Sequence, residues 1–123
     1  MNELKRNQIH RYFQMAKAEC QTQIAALQAD DRFDEAVFVK IRLNVFDIFH
    51  TVFSAGEKTV GEDDEKLTAF FHYRLAQIPG SWKNALEKAE QHENKEAAYI
   101  ENIKLDTVTQ IGEAFCRIWE EEQ

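Results

Sequence analysis

Turn-forming residues are scarce in this chain, with four Gly and one Pro in 123 residues. A protein built from many short strands needs frequent turns, and turns draw on these two residue types. Their scarcity excludes an all-β chain and favours a few long helices. Cysteine is scarcer still. Cys20 and Cys116 are too few for a disulfide framework, and no CxxC pair occurs. Both stand at helical positions beside apolar residues and read as reduced, small core residues.

No run approaches the roughly twenty apolar residues that span a bilayer. The stretch Met1–Asn7 is charged and has only Leu4 as an apolar residue after Met1, unlike a secretory leader. The expected location is cytoplasmic. A basic stripe is also missing: 15 Lys and Arg against 22 Asp and Glu leave a net charge of −7. An acidic chain is poorly suited to phosphate backbones or anionic membranes, which are bound by neutralising negative charge. Neither nucleic acid nor a membrane is therefore an expected partner. Gly-rich phosphate loops, GxSxG elbows and HExxH or ExxH pairs do not occur. The sequence assigns no catalytic residue, no metal ligand and no cofactor, and the reading leans away from an enzyme.

What the chain has in excess is phenylalanine, concentrated between Phe33 and Phe53. Thirteen of those twenty-one residues are apolar and five are Phe. A helix that only borders a core needs an apolar stripe, whereas this one is apolar around most of its circumference. Lys40, Asn44, Asp47, Thr51 and Ser54 gather into one narrow polar strip. Such a helix is either the centre of a bundle or packs one face on its own chain and another on a partner.

Around it the periodicity predicts helix one from Asn2, as N-cap, to Ala29, with Ile9, Phe13, Ala16, Cys20, Ile24 and Leu27 as its seam. Asp30 and Asp31 are expected to cap helix two, which ends near Ser54–Gly56. Glu57–Asp64 reads as the mobile connection. Helix three covers about Asp63–Gln77, with Leu67, Phe70, Phe71, Leu75 and Ile78 inward. Pro79 and Gly80 break the arm. Ser81 caps helix four to about Gln91, and Asn94 caps helix five, which reaches about Glu120. Ala97, Ile100, Val108, Ile111, Phe115 and Ile118 form its inward side. Glu120–Glu122 put negative charge at a negative helix end and should fray. Gly112 is expected to permit a close helix approach, Trp82 to pack the broken corner, and Trp119 either to close the bundle or to stay exposed. The fold class is thus all-α: one domain over 1–123, an antiparallel bundle of four to five helices. It comprises two long hairpins, one with an arm broken at Pro79. A faint internal echo at a shift of 62 residues sets Ile41–Asn44 over Ile103–Asp106, Phe53 over Phe115 and His10 over His72.

Two cations stand among apolar residues. Lys104 lies on the inward seam of helix five and must snorkel, pair with a carboxylate such as Asp47, or lose its proton. Arg42 shares a face of helix two with Phe38, Phe46, Phe49 and Phe53, with Glu35 two turns earlier. If that face is an interface, Arg42 and Glu35 pair across it, because the guanidinium fork suits a carboxylate. If it is interior, Arg42 and Lys104 form a two-cation pocket for an anion, with Asp47 nearby. Asp47 and His50 form a lone DxxH, which is less than a bundle metal site requires. The leading expectation is an interaction or regulatory module, a homodimer assembled through Glu35, Arg42, Phe46, Phe49 and Phe53. The alternative is a small-ligand protein or enzyme that holds an anion on Lys104 and Arg42.

Overall fold

The computed structural model describes residues 1–121. Every regular element in them is helical: α1 (Glu3–Ala29), α2 (Phe33–Val60), α3 (Asp64–Gln77), α4 (Gly80–Gln91) and α5 (Lys95–Phe115), with a π-helical turn over Cys116–Glu121. The fold is an all-α bundle, as the low Gly and Pro content implies. α2 is its centre and packs against α1, α3 and α5, while α4 packs against α5.

The composition of α2 explains this position. Ala36, Val45, Phe46, Phe49, Phe53 and Gly56 are all buried along it, more than one seam can supply. Each fully buried phenyl contributes roughly 1.5–3 kcal/mol. The core joins Ile9, Phe13 and Cys20 of α1 to Val45, Phe46, Phe49 and Phe53 of α2, Leu67 and Phe71 of α3, and Val108, Ile111 and Phe115 of α5. Ile118 and Trp119 complete it, so Trp119 closes the bundle end. The helix-two phenyls expected at a dimer face are therefore already used: Phe46, Phe49 and Phe53 are 0–1% exposed within the chain itself.

Caps agree with the sequence at two helices, Asn2 for α1 and Asn94 for α5, and Asp63, expected only as the start of helix three, caps α3. The side chains of Asn2, Asp63 and Asn94 accept from the backbone N–H of Lys5, Lys66 and Ala97. At α2 and α4 they do not. Arg32 and Pro79 occupy the N-cap positions and neither makes a side-chain cap bond, so Asp30, Asp31 and Ser81 do not act as expected. Asp30 instead ends α1, Asp31 takes a left-handed φ of 57°, and Arg32 N–H returns to Leu27 C=O at 2.8 Å. Together with Asp31 N–H on Gln28 C=O at 3.1 Å, this is a Schellman stop. The α4–α5 corner repeats it: Glu93 has φ 55°, Asn94 N–H bonds Ala89 C=O at 2.8 Å, and Glu93 N–H bonds Glu90 C=O at 3.1 Å. Asp31 and Glu93 are 62 residues apart, the shift of the sequence echo.

α2 also outruns its predicted end. The segment Glu57–Val60, expected as loop, is helical, and Gly61 closes the helix at φ 63°. The connection shrinks to 61–63. At the α3–α4 break, Ile78 and Pro79 both keep right-handed dihedrals (φ −59°, ψ −42° and φ −69°, ψ −6°), so the arm bends without opening a long loop. Glycine roles are exchanged relative to expectation. A Cβ on Gly56 would lie 2.7 Å from Phe70 Cδ1 and 3.0 Å from Leu67 Cδ1, whereas one on Gly112 would meet nothing within 4 Å. The close approach is therefore α2 on α3. The fraying expected at Glu120–Glu122 falls partly outside the described residues.

Candidate functional site

Chemistry-bearing side chains gather in three places. The first is a cleft of about 300 Å³ between α2, α4 and α5, lined by Val37, Lys40, Ile41, Asn44, Val45, Ile48, Trp82 and Lys104. Its floor is apolar because α2 turns its Val37–Ile41–Val45–Ile48 side towards Trp82, and the bend at Pro79 brings Trp82 to that wall. Lys104 sits at the rim with its side chain 27% exposed. It donates to Glu101 Oε1 at 3.1 Å and lies 5.8 Å from the Trp82 ring centroid. Glu101 Oε2 is also 3.1 Å from the ammonium but lacks hydrogen-bond geometry towards it. The ammonium has three N–H groups, so Glu101 does not exhaust it. Phe33, one turn before Val37 on α2, is an exposed apolar residue like Val37, and Tyr99 of α5, also exposed, stands edge-on to Phe38 at 4.8 Å.

The second is a polar network where α1, α2 and α3 meet. Arg6 is 4% exposed and binds Asp64 at 2.9 Å and Glu57 at 3.7 Å. His10 joins Glu57 Oε1 at 2.6 Å through Nε2 and His50 Nε2 at 2.9 Å through Nδ1. These contacts fix the neutral tautomers. His10 donates from Nε2 to the carboxylate, so its Nδ1 accepts and His50 must donate from Nε2. His50 also stacks on Phe13, with centroids 5.0 Å apart and planes 11° apart. Burial, with Lys17 and His10 adding to it, pulls the His50 pKa below the ordinary imidazole value.

The third lies on the π-helical turn, where donor atoms of His72, Cys116 and Glu120 all fall within 4.8 Å of one another. His72 Nε2 meets Glu120 Oε1 at 2.8 Å, and its ring stands edge-on to Phe115 at 5.2 Å. The 62-residue shift relates this place to the network above, where His10 meets Glu57 and stands edge-on to Phe53 at 5.2 Å.

The residues singled out from sequence are dispersed. Lys104 lines the cleft as an inward-facing lysine should, but its carboxylate is Glu101 and not Asp47. Asp47 pairs with Lys17 of α1 at 3.3 Å. Arg42 does not share the Lys104 cleft. It lies 6.0 Å from the Phe46 centroid, and its charge acts on Tyr12 and Cys20 of α1. Arg42 is thus not among the residues lining the cleft that holds Lys104. Within the chain Glu35 pairs with Arg32, one turn away. Cys20 is buried, and burial raises its thiol pKa, whereas Cys116 is half-buried and not a core residue.

Sequence reasoning missed Arg6, although it continues the seam Ile9–Phe13 at helical spacing. It also missed both histidine clusters, in which His10 of α1 and His72 of α3 meet partners on another helix. No protein-family model, curated protein or solved structure matches the chain.

Proposed function

We propose that this protein is an interaction module whose binding surface is the cleft floored by α2 and walled by Trp82, and that it receives an amphipathic, acidic helix of another protein. The observation that carries this is the apolar run Phe33–Val37–Ile41–Ile48, bordered by Lys40 and Lys104. From Val37 to Ile48 the run is about 16 Å long at 1.5 Å per residue, room for roughly three turns of a docked helix. Exposed large apolar residues that continue a cleft mark binding surfaces, and helix-in-groove recognition uses i, i+3, i+4 and i+7 anchors. The charge at the rim selects the partner. Carboxylates flanking the apolar anchors meet Lys40 and the uncommitted donors of Lys104, whereas a basic flank meets like charge.

This reading keeps the module class expected from sequence and moves the surface, because Phe46, Phe49 and Phe53 lie in the core. The volume of the cleft also favours a second reading, a small carboxylate with an apolar body seated on Lys104.

Trp82 is the built-in reporter. In a Trp119→Phe background, a Leu-rich helical peptide flanked by Glu should shift Trp82 emission, and its Lys-flanked counterpart should not. Val37→Asp and Lys104→Glu should each abolish the response. Equal response to both peptides, or none at millimolar peptide, would refute the acidic-helix reading. A small aromatic carboxylate that shifts the emission while the peptides do not would install the second reading. Light scattering separates the remaining occupant. A dimer that Val37→Asp dissociates would place a second copy in the cleft.

A further inference from the structure

Where the two half-chains correspond, they differ in a chemically informative way. Each holds a His–Glu pair beside a Phe edge: His10–Glu57 at 2.6 Å and His72–Glu120 at 2.8 Å. In the first half His50 occupies the other side of the imidazole. The 62-residue shift places Gly112 at the position of His50 and Cys116 at that of Ser54. A Cβ on Gly112 would meet nothing within 4 Å. The second half therefore has no second ring at that position and carries a thiol instead of a hydroxyl four residues on. The π-helical turn over Cys116–Glu121 inserts one residue, so the acidic partner falls at Glu120 where the plain shift from Glu57 gives Trp119. π-turns are rare and concentrate at functional sites.

We infer that His72, Cys116 and Glu120 form a zinc site, with one imidazole nitrogen, one thiolate and one carboxylate as ligands and a fourth position open to water. This donor set suits a borderline-soft ion of tetrahedral preference. With metal–ligand bonds of about 2.0–2.3 Å, tetrahedral donors stand about 3.4 Å apart. The His72–Glu120 contact of 2.8 Å must open by roughly half an ångström, and the widest pair, within 4.8 Å, must close by at most about 1.4 Å. Side-chain torsions provide both adjustments. His72 and Glu120 are 40% and 46% exposed, which gives the ion an entry path and leaves a face for the water ligand. On binding, the Cys116 thiol releases its proton to solvent and a Zn–S bond forms. His72 stays neutral, its proton moving to Nδ1 so that the Nε2 lone pair faces the metal.

The test is a Co²⁺ titration of the full chain, reduced and stripped with chelator. One Co²⁺ per chain should produce a near-ultraviolet thiolate-to-cobalt band, and one equivalent of Zn²⁺ should remove it. Cys116→Ser should abolish the band and Cys20→Ser should retain it. His72→Gln and Glu120→Gln should each weaken binding by about tenfold or more, since losing even an outer-sphere partner costs 10–100-fold. Absence of the band at millimolar Co²⁺ overturns the site, as does its survival in Cys116→Ser. Unchanged affinity in His72→Gln and Glu120→Gln would reduce it to a lone thiol and overturn it equally. Should Cys116→Ser fail to fold by circular dichroism, Glu120→Gln decides, because its side chain lies at the surface.

Discussion

Glu93→Gly should stabilise this protein. Glu93 holds φ 55° at the α4–α5 corner, and a side chain in the left-handed region costs about 1–2 kcal/mol through the clash of Cβ with the following carbonyl. Glycine removes that clash but gives the unfolded chain extra freedom, which returns about 0.5–1 kcal/mol. The net gain is about 0.5–1 kcal/mol, a rise of roughly 2–5 °C in melting temperature for a chain of this size. Asp31 holds φ 57° at the matching corner, but its short side chain tolerates the region better. Asp31→Gly should therefore gain less than Glu93→Gly. Charge is a rival explanation, because Glu93 also stands at the negative end of α4. Glu93→Ala separates the two by removing the charge and keeping the strain, so it should stay within about 0.5 kcal/mol of the parent. Calorimetric melts of the three variants are the assay. A Glu93→Gly protein that melts no higher than the parent, or a Glu93→Ala protein that matches it, refutes the strain argument.

Gly56→Ala should destabilise despite a helix-propensity gain of about 1 kcal/mol, because its methyl would meet the Phe70 ring at 2.7 Å and overpacking costs about 1–3 kcal/mol. Gly112→Ala, with open space around the new methyl, should show the propensity gain alone in the same urea titration, and a reversed order would refute the assignment of the close approach. For His50, a folded-state pKa held below the unfolded value means the unfolded chain takes its proton first. Stability should then be fully present above about pH 6.5 and fall as the pH drops towards the folded pKa, by at most about 1.4 kcal/mol per unit. His50→Gln should flatten that slope below about pH 6.5, and melts with identical pH dependence in both proteins would remove His50 from the account.

Much of the backbone was legible in the sequence because helical periodicity and cap residues are local signals. Asn2, Asp63 and Asn94 announce their helices, and the excess of phenyls in α2 announces a helix with several neighbours. Errors arose where tertiary contact overrides local chemistry. Glu57 looked like loop because it is charged and near glycine, yet Arg6 and His10 reach it from α1 and keep that turn helical. Asp30 and Asp31 resembled an N-cap pair, but the Schellman bonds of α1 claim them first. The cleft was half visible: Lys104 could be placed inward, and Glu101 three residues before it on the same helix was within reach by helical spacing but was passed over, while Trp82 as its neighbour needed the bend at Pro79. The clusters around His10 and His72 were invisible, because the partners that each of these imidazoles meets lie 40 or more residues away.

The shift of 62 residues has a consequence for assembly. The corners at Asp31 and Glu93, the histidines and the phenyl edges recur at that spacing, the paired glutamates at 63, and the rings Phe53 and Phe115 meet each other, 6.4 Å between centroids. Positions related by that shift thus meet in the core. The phenyl side of α2 is covered by the other half of the same molecule, where Phe49 meets Phe71 and Phe53 meets Phe71 and Phe115, while its Val37–Ile48 side lines the open cleft.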